Sequence, residues 1–179
     1  MSASSEGLAV VGLGNPLRRD DGVGILVLDM LRQSLRGRDI AFYDFGTASL
    51  GLVNLMKDFR RVLLIDAVDA GLPPATLRLF PLSEAASPPH GKKVSSHELS
   101  LADLAGLCRS LGVDADVRVA GIQAKDTSFG LELSHELDAA RERVAGEIKD
   151  FLEGWRREPG FRRSRRPGRP SPGRRRPRR

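Results

Sequence analysis

Asp21, Asp66 and His97 are the side chains of this sequence best placed to do chemistry together. Each stands in its own short motif: GLGNPLRRDDG (12–22), VLLIDAVDA (62–70) and SSHELSLADL (95–104). Each motif sits where an apolar run that reads as a strand gives way to a polar stretch. If those strand ends share one edge of a sheet, two carboxylates and an imidazole meet there. That donor set suits a borderline transition metal such as nickel, zinc, copper or iron. The gaps between the three are long, so the spacing says little and the surrounding motifs carry the reading.

The elements that must position them follow from the hydrophobic pattern. Strands are predicted at 7–14, 40–44, 61–66, 76–81 and 117–122, three of them nearly continuous apolar runs, as expected of parallel strands covered on both faces. Amphipathic stretches at 21–36, 49–59, 97–111 and 134–155 lie between or after them and predict helices. Regular alternation of the two predicts an α/β sandwich. In open α/β sheets the carboxyl ends of the strands are where sites are built. The polar segment 82–95, with its prolines and glycine, reads as a long crossover loop.

Each motif also has a plainer reading. GLGN lies between a strand and a helix, but a dinucleotide fingerprint needs a third glycine where Leu17 stands, and Pro16 removes a backbone donor. The glycines are better explained by a tight turn out of the sheet. Asp20 and Asp21 could simply complement a helix dipole, and Asp66 could cap or anchor a loop. Ser95 and Glu98 match a capping box, which predicts His97 in a first helical turn, where the positive helix end favours neutral imidazole. His90 and His135 have no comparable setting. There is no G-x-S-x-G elbow and no HExxH, since Leu101 stands where the second histidine would be. Cys108, the single cysteine, falls on an apolar helical stripe and reads as core; alone, it excludes an intramolecular disulfide and a thiolate cluster.

Charge divides the chain of 179 residues in two. Residues 156–179 hold twelve arginines against one acidic residue, Glu158, or +11, which leaves −5 of the net +6 for the rest. A folded domain at 1–155 and a disordered Arg/Pro-rich tail at 156–179 are expected. The acidic body argues against nucleic-acid binding except nonspecifically through the tail. No apolar run is long enough for a membrane span and none resembles a signal peptide, so a cytoplasmic protein is expected.

Taken together the motifs resemble those of the hydrogenase maturation endopeptidases, over about residues 8–153. The family's G-x-G-N followed by an acidic pair and glycine is matched by GLGNPLRRDDG. Its D-G-G-T element is matched by DFGTAS (44–49), its strand ending in Asp-Ala by LLIDA (63–67), and its S-x-H element by SSHELSLADL. A late G-I-Q and G-x-x-L-S appear in GIQAKDTSFGLELS (121–134). The resemblance implies a three-layer α/β/α sandwich on a five-stranded, mixed but mostly parallel sheet, with 76–81 the candidate antiparallel strand. It implies a peptidase that removes the C-terminal extension of a nickel-loaded [NiFe] hydrogenase large-subunit precursor, with nickel arriving on the substrate. Asp21, Asp66 and His97 take the catalytic and metal-contacting roles; Asp44, Phe45, Gly46 and Thr47 face the substrate. Asp21 replaces a frequent glutamate, Phe45 a frequent glycine and Ala124 a frequent proline. The alternative from another class is a noncatalytic metal- or nucleotide-binding α/β module.

Overall fold

The computed structural model describes residues 7–47, 50–86 and 100–158. Five strands form one sheet: β1 (Leu8–Leu13), β2 (Ala41–Gly46), β3 (Arg61–Val68), β4 (Leu77–Pro81) and β5 (Asp116–Gln123), in the order β2-β1-β3-β5-β4. All neighbours are parallel except β4, which runs antiparallel to β5. The strand expected at 76–81 is thus the antiparallel one. Every residue of β1 and β3 is buried, which is why those segments read as unbroken apolar runs. The edge strands β2 and β4 are half-exposed and carry polar residues, and Pro81 sits on an edge, where its missing N–H costs no ladder bond.

Among the described residues four helices complete three layers: α1 (Val23–Ser34), α2 (Leu50–Asp58), α3 (Leu101–Ser110) and α4 (His135–Trp155). Strand alternation sorts the core into two halves. Leu8, Val10, Leu63, Ile65, Ala120 and Ile122 face α1 and α4. Ala9, Val11, Val62, Leu64, Val117 and Val119 face α2 and α3. Cys108 lies in the second half with its thiol 3.5 Å from the Met56 sulfur, as its place on the apolar stripe predicts. Among the described residues no helix is long and apolar enough to cross a membrane.

Three local expectations change. The crossover after β4 begins with a 3₁₀ turn, Leu82–Ala86, because Leu82 and Ala85 fill the α2/α3 side of the core. The helix expected from 21 begins at Val23, after a separate 3₁₀ turn, Arg19–Gly22. The helix expected from 97 begins at Leu101: its capping box is Ser100 with Asp103, the Ser100 hydroxyl accepting from the Asp103 amide at 3.1 Å while the Asp103 carboxylate accepts from the Ser100 amide. Ser100 and Asp103 thus supply the cap from which this helix starts. Ser95, His97 and Glu98 fall outside the described residues.

The last turn of α4 is tied to the start of β3. Arg61, itself buried, donates to the Trp155 carbonyl and lies over the Trp155 ring, and its guanidinium meets Glu158 at 3.6 Å. Glu158, just past the end of α4, is exposed and meets β3 only through this ion pair among its described contacts.

Candidate active site

β1 leads to β2 on one side and, through β2, to β3 on the other, so the chain changes direction across the sheet between β1 and β3. The carboxyl ends of these two strands flank a switch point, the place where open α/β sheets leave a crevice. Asp21 comes from the loop after β1 and Asp66 from the end of β3.

The loop after β1 is folded on itself by its own residues. Gly14 has φ +129°, and an added Cβ there would sit 1.9 Å from the Asp21 carbonyl. Only glycine lets the chain double back so closely. Asn15 then organises the turn: its side-chain oxygen accepts from the Leu17 amide at 3.0 Å, its carbonyl accepts from the Arg18 amide at 2.9 Å, and its own N–H donates to Asp21 Oδ2 at 2.9 Å. The turn 19–22 comes to rest beside β3. Helix α1 enters equally close, since a Cβ on Gly24 would meet the carbonyl oxygens of Leu13 at 2.2 Å and Ile65 at 2.5 Å. Tight packing of α1 across β1 and β3 seats the 19–22 turn at the same end of the sheet as Asp66, the next residue after Ile65.

The two neighbouring aspartates have different work. Asp20 is wholly buried and accepts four hydrogen bonds: from the amides of Lys125 and Asp126 and the Ser134 hydroxyl at Oδ2, each 2.9 Å, and from the Ser134 amide at Oδ1, 2.7 Å. It clamps the segment that follows β5. Neither aspartate caps α1, whose N-cap is Gly22 with no side-chain bond. Arg19, just before them, adopts φ +41°, a conformation uncommon for a side chain of its size, held by its amide on the Gly130 carbonyl at 2.9 Å and its guanidinium 3.5 Å from Asp126.

Asp66 is fully buried on a strand that is buried throughout, and its parallel neighbour across the ladder is Gly121. It shares the sheet face of Leu64 and Val68, which looks toward α2 and α3. Both Asp21 and Asp66 are removed from bulk water. Burial sharpens the electrostatic effect of a carboxylate on whatever it meets there. Among the described residues no three metal-ligating side chains form a cluster. His97, the third member of the expected set, lies outside the described residues, three positions before the Ser100 cap. α3 is followed by β5, parallel to β3, so the Ser100 end of α3 stands at the same sheet edge as Asp66.

The expected substrate-facing residues occupy the end of β2. Asp44 is exposed and folds an Asx turn, Oδ1 accepting from the Gly46 amide at 3.0 Å. Gly46 has φ +50° and its carbonyl accepts from the Gly14 amide at 3.0 Å, joining this motif to the GLGN loop. Thr47 is exposed. Phe45 is only half-buried, but its ring packs on the α2/α3 core and reaches within 3.3 Å of where a Gly51 Cβ would be. Phe45 thus fills space that a glycine would leave empty.

Gln123, quoted in the GIQ motif but given no role from sequence, closes the other side of the site. Buried at the end of β5, it accepts from the Ala70 and Leu72 amides at 2.8 and 3.2 Å and donates to the Ala124 carbonyl at 2.8 Å and to Asp69 at 3.3 Å. It fixes the loop that leaves β3 just after Asp66. A lone glutamine ending an apolar strand was the available signal, because such a side chain must find partners.

The family model for hydrogenase maturation proteases matches residues 25–150. The chain belongs to this family. A hydrogenase maturation protease in sequence, it is 29% identical over 153 residues to the hydrogenase expression/formation protein HoxM of Cupriavidus necator, covering 83% of this chain and 75% of that protein. Its fold is that of the hydrogenase maturating endopeptidase HybD of Escherichia coli, with TM-score 0.71 at 23% identity over 83% of this chain and 93% of that one. A hydrogenase 2 maturation peptidase from a Thaumarchaeota archaeon superposes with TM-score 0.62 at 26% identity, over 83% and 99% of the two chains.

Proposed function

We propose that this protease removes the C-terminal extension of a [NiFe] hydrogenase large-subunit precursor that already carries nickel, and that Asp21, Asp66 and His97 are its working residues. The observation that carries the assignment of residues is the placement of two buried carboxylates on either side of the β1/β3 switch point. The donor set fits the metal: two hard oxygens and an imidazole make a mixed shell that nickel accepts. The nickel is part of the substrate, and Asp21, Asp66 and His97 are the side chains that would hold it as the precursor docks.

Peptide hydrolysis adds water across one C–N bond. The water oxygen bonds to the carbonyl carbon, the C–N bond breaks, and a proton passes to the leaving amine. Nickel held at the site supplies Lewis acidity. A carboxylate of the pair, removed from bulk water, is suited to take the proton from the attacking water and return it to the amine. Asp44, Gly46 and Thr47, joined to the GLGN loop, would guide the extension toward the carboxylates. Cytoplasmic action is part of the proposal and is tested by cell fractionation.

The deciding experiment incubates the protein with nickel-loaded and nickel-free precursor and reads the mass of the products. Release of one C-terminal peptide from the loaded form only is expected. Equal cleavage of both forms would remove nickel from recognition, and no cleavage of either would favour a binding module.

A further inference from the structure

Among the described residues five large apolar side chains are strongly exposed, and three of them lie on two touching backbone segments beside the site: Leu17 (58%), Phe129 (80%) and Leu131 (79%). The Gly130 amide donates to the Leu17 carbonyl at 3.0 Å, and Arg18 pairs with Gly130 as a short bridge. Solvent-exposed leucines scattered singly need no explanation, but a cluster of this kind does. The cluster is also held in place. Arg18 Nε donates to the Thr127 carbonyl at 3.0 Å and its guanidinium lies 5.3 Å from the centre of the Phe129 ring. The Asp20 clamp fixes both flanks of the segment, at Lys125–Asp126 and at Ser134. An apolar surface so ordered before binding loses little conformational entropy when covered.

We propose that the Leu17–Phe129–Leu131 surface docks an apolar face of the large-subunit precursor and so sets which precursor is processed. This rests on the maturation-protease reading above. The occupant follows from continuity: Leu17 is four residues from Asp21 in one self-bonded loop, so a macromolecule whose scissile bond reaches Asp21 comes up beside this surface. A folded precursor needs contact area beyond the few residues around one peptide bond, and a central aromatic with aliphatic neighbours is the usual energetic centre of such a contact. Phe129 supplies the aromatic, and Leu17 and Leu131 are the exposed aliphatics of the two joined segments.

The test uses the full chain and purified nickel-loaded precursor, measuring the Kd of the complex and the kcat and KM of processing. The double variant Phe129→Ser with Leu131→Ser is expected to raise Kd and KM at least tenfold with kcat within twofold of the parent and an unchanged thermal midpoint. Leu17→Ser gives the same sign in an independent segment, and Phe129→Leu, which keeps an apolar side chain, restores most of the affinity. Unchanged Kd and KM in the folded double variant would overturn the inference. So would a concentration-dependent dimer of the parent that the variant abolishes while Kd for precursor stays the same, since the surface would then belong to a second copy. A parent that binds precursor through this surface but never cleaves it supports the docking and refutes the protease mechanism; a parent that neither binds nor cleaves refutes both.

Discussion

Asp20 and Ser134, 114 residues apart in the chain, are joined by two hydrogen bonds, one from the Ser134 amide and one from its hydroxyl. Ser134 occupies the N-cap of α4, yet its hydroxyl makes no cap and turns to Asp20 instead. Asp20→Ala would strand three amides and a hydroxyl in a buried place. A loss of at least about 3 kcal/mol is expected, given about 1–3 kcal/mol for each buried donor left unsatisfied and incomplete additivity. Ser134→Ala, which removes only the hydroxyl, should cost about 1–2 kcal/mol. Urea unfolding measures both.

Asp21 should behave in the opposite way. Asp21→Asn and Asp66→Asn are expected to lower the processing rate at least about 100-fold, the scale of a lost general base. Asp21→Glu restores the longer side chain common in the family and should keep activity. Precursor cleavage followed by mass, with circular dichroism as the control for folding, decides it. Full turnover in either Asn variant would take that carboxylate out of the mechanism.

Gly24→Ala tests how α1 is seated. Its methyl group would enter the space between the Leu13 and Ile65 carbonyls, and neither backbone can yield without moving β1 or β3. A cost of about 3 kcal/mol or more is expected, the upper end of overpacking penalties. Because the shift displaces Asp21 relative to Asp66, processing should fall further than the folded fraction, measured in the same samples.

Phe45→Gly should alter two properties at once. The ring packs on the α2/α3 core, so its removal is expected to cost about 2–4 kcal/mol. Any change in precursor choice must therefore be measured at a temperature where the variant is fully folded. If it then handles every precursor as the parent does, Phe45 serves packing alone.

Burial pushes the Cys108 thiol above its ordinary range, a rise that Lys57 partly opposes. The folded state thus holds the proton to higher pH than the unfolded chain. Stability is full below the unfolded thiol's range and declines as pH rises through it. Alkylation near pH 8.5 should be at least about tenfold slower in the native protein than in urea, as buried thiols are inert. Equal rates would show that the α2–α3 side opens readily.

Truncation after Glu158 should leave site chemistry intact. α4 runs about 31 Å, from Ser134 near Asp20 to Trp155 on Arg61, so Glu158 stands at the opposite end of the sheet from Asp20. Apparent affinity for precursor is expected to weaken at low salt and to match the parent at high salt. Truncation after Trp155 should cost stability as well, because it removes the Glu158 partner of a buried arginine. A folded protein cut after Glu158 with no turnover at any salt would place the tail in the active enzyme.

Sequence alone was enough for the five strands, the four helices and the family, whose resemblance in turn implied the antiparallel β4. These rest on apolar periodicity, turn glycines and motif order, which are properties of neighbours along the chain. The role of Gly14 was legible for the same reason, since a tight turn is local. What only the tertiary structure decided involves partners distant in sequence. Two adjacent aspartates look alike on paper, but Asp20 is spent on the segment after β5 while Asp21 turns back to Asn15. The cap of α3 is Ser100 with Asp103, a pairing that the motif order did not single out. Gln123 finds its bonds in a loop more than fifty residues away. Leu17, Phe129 and Leu131 become one surface only because Gly130 bonds to Leu17. A buried polar group must be satisfied by whatever packing brings near it, and the chain's order does not say what that is.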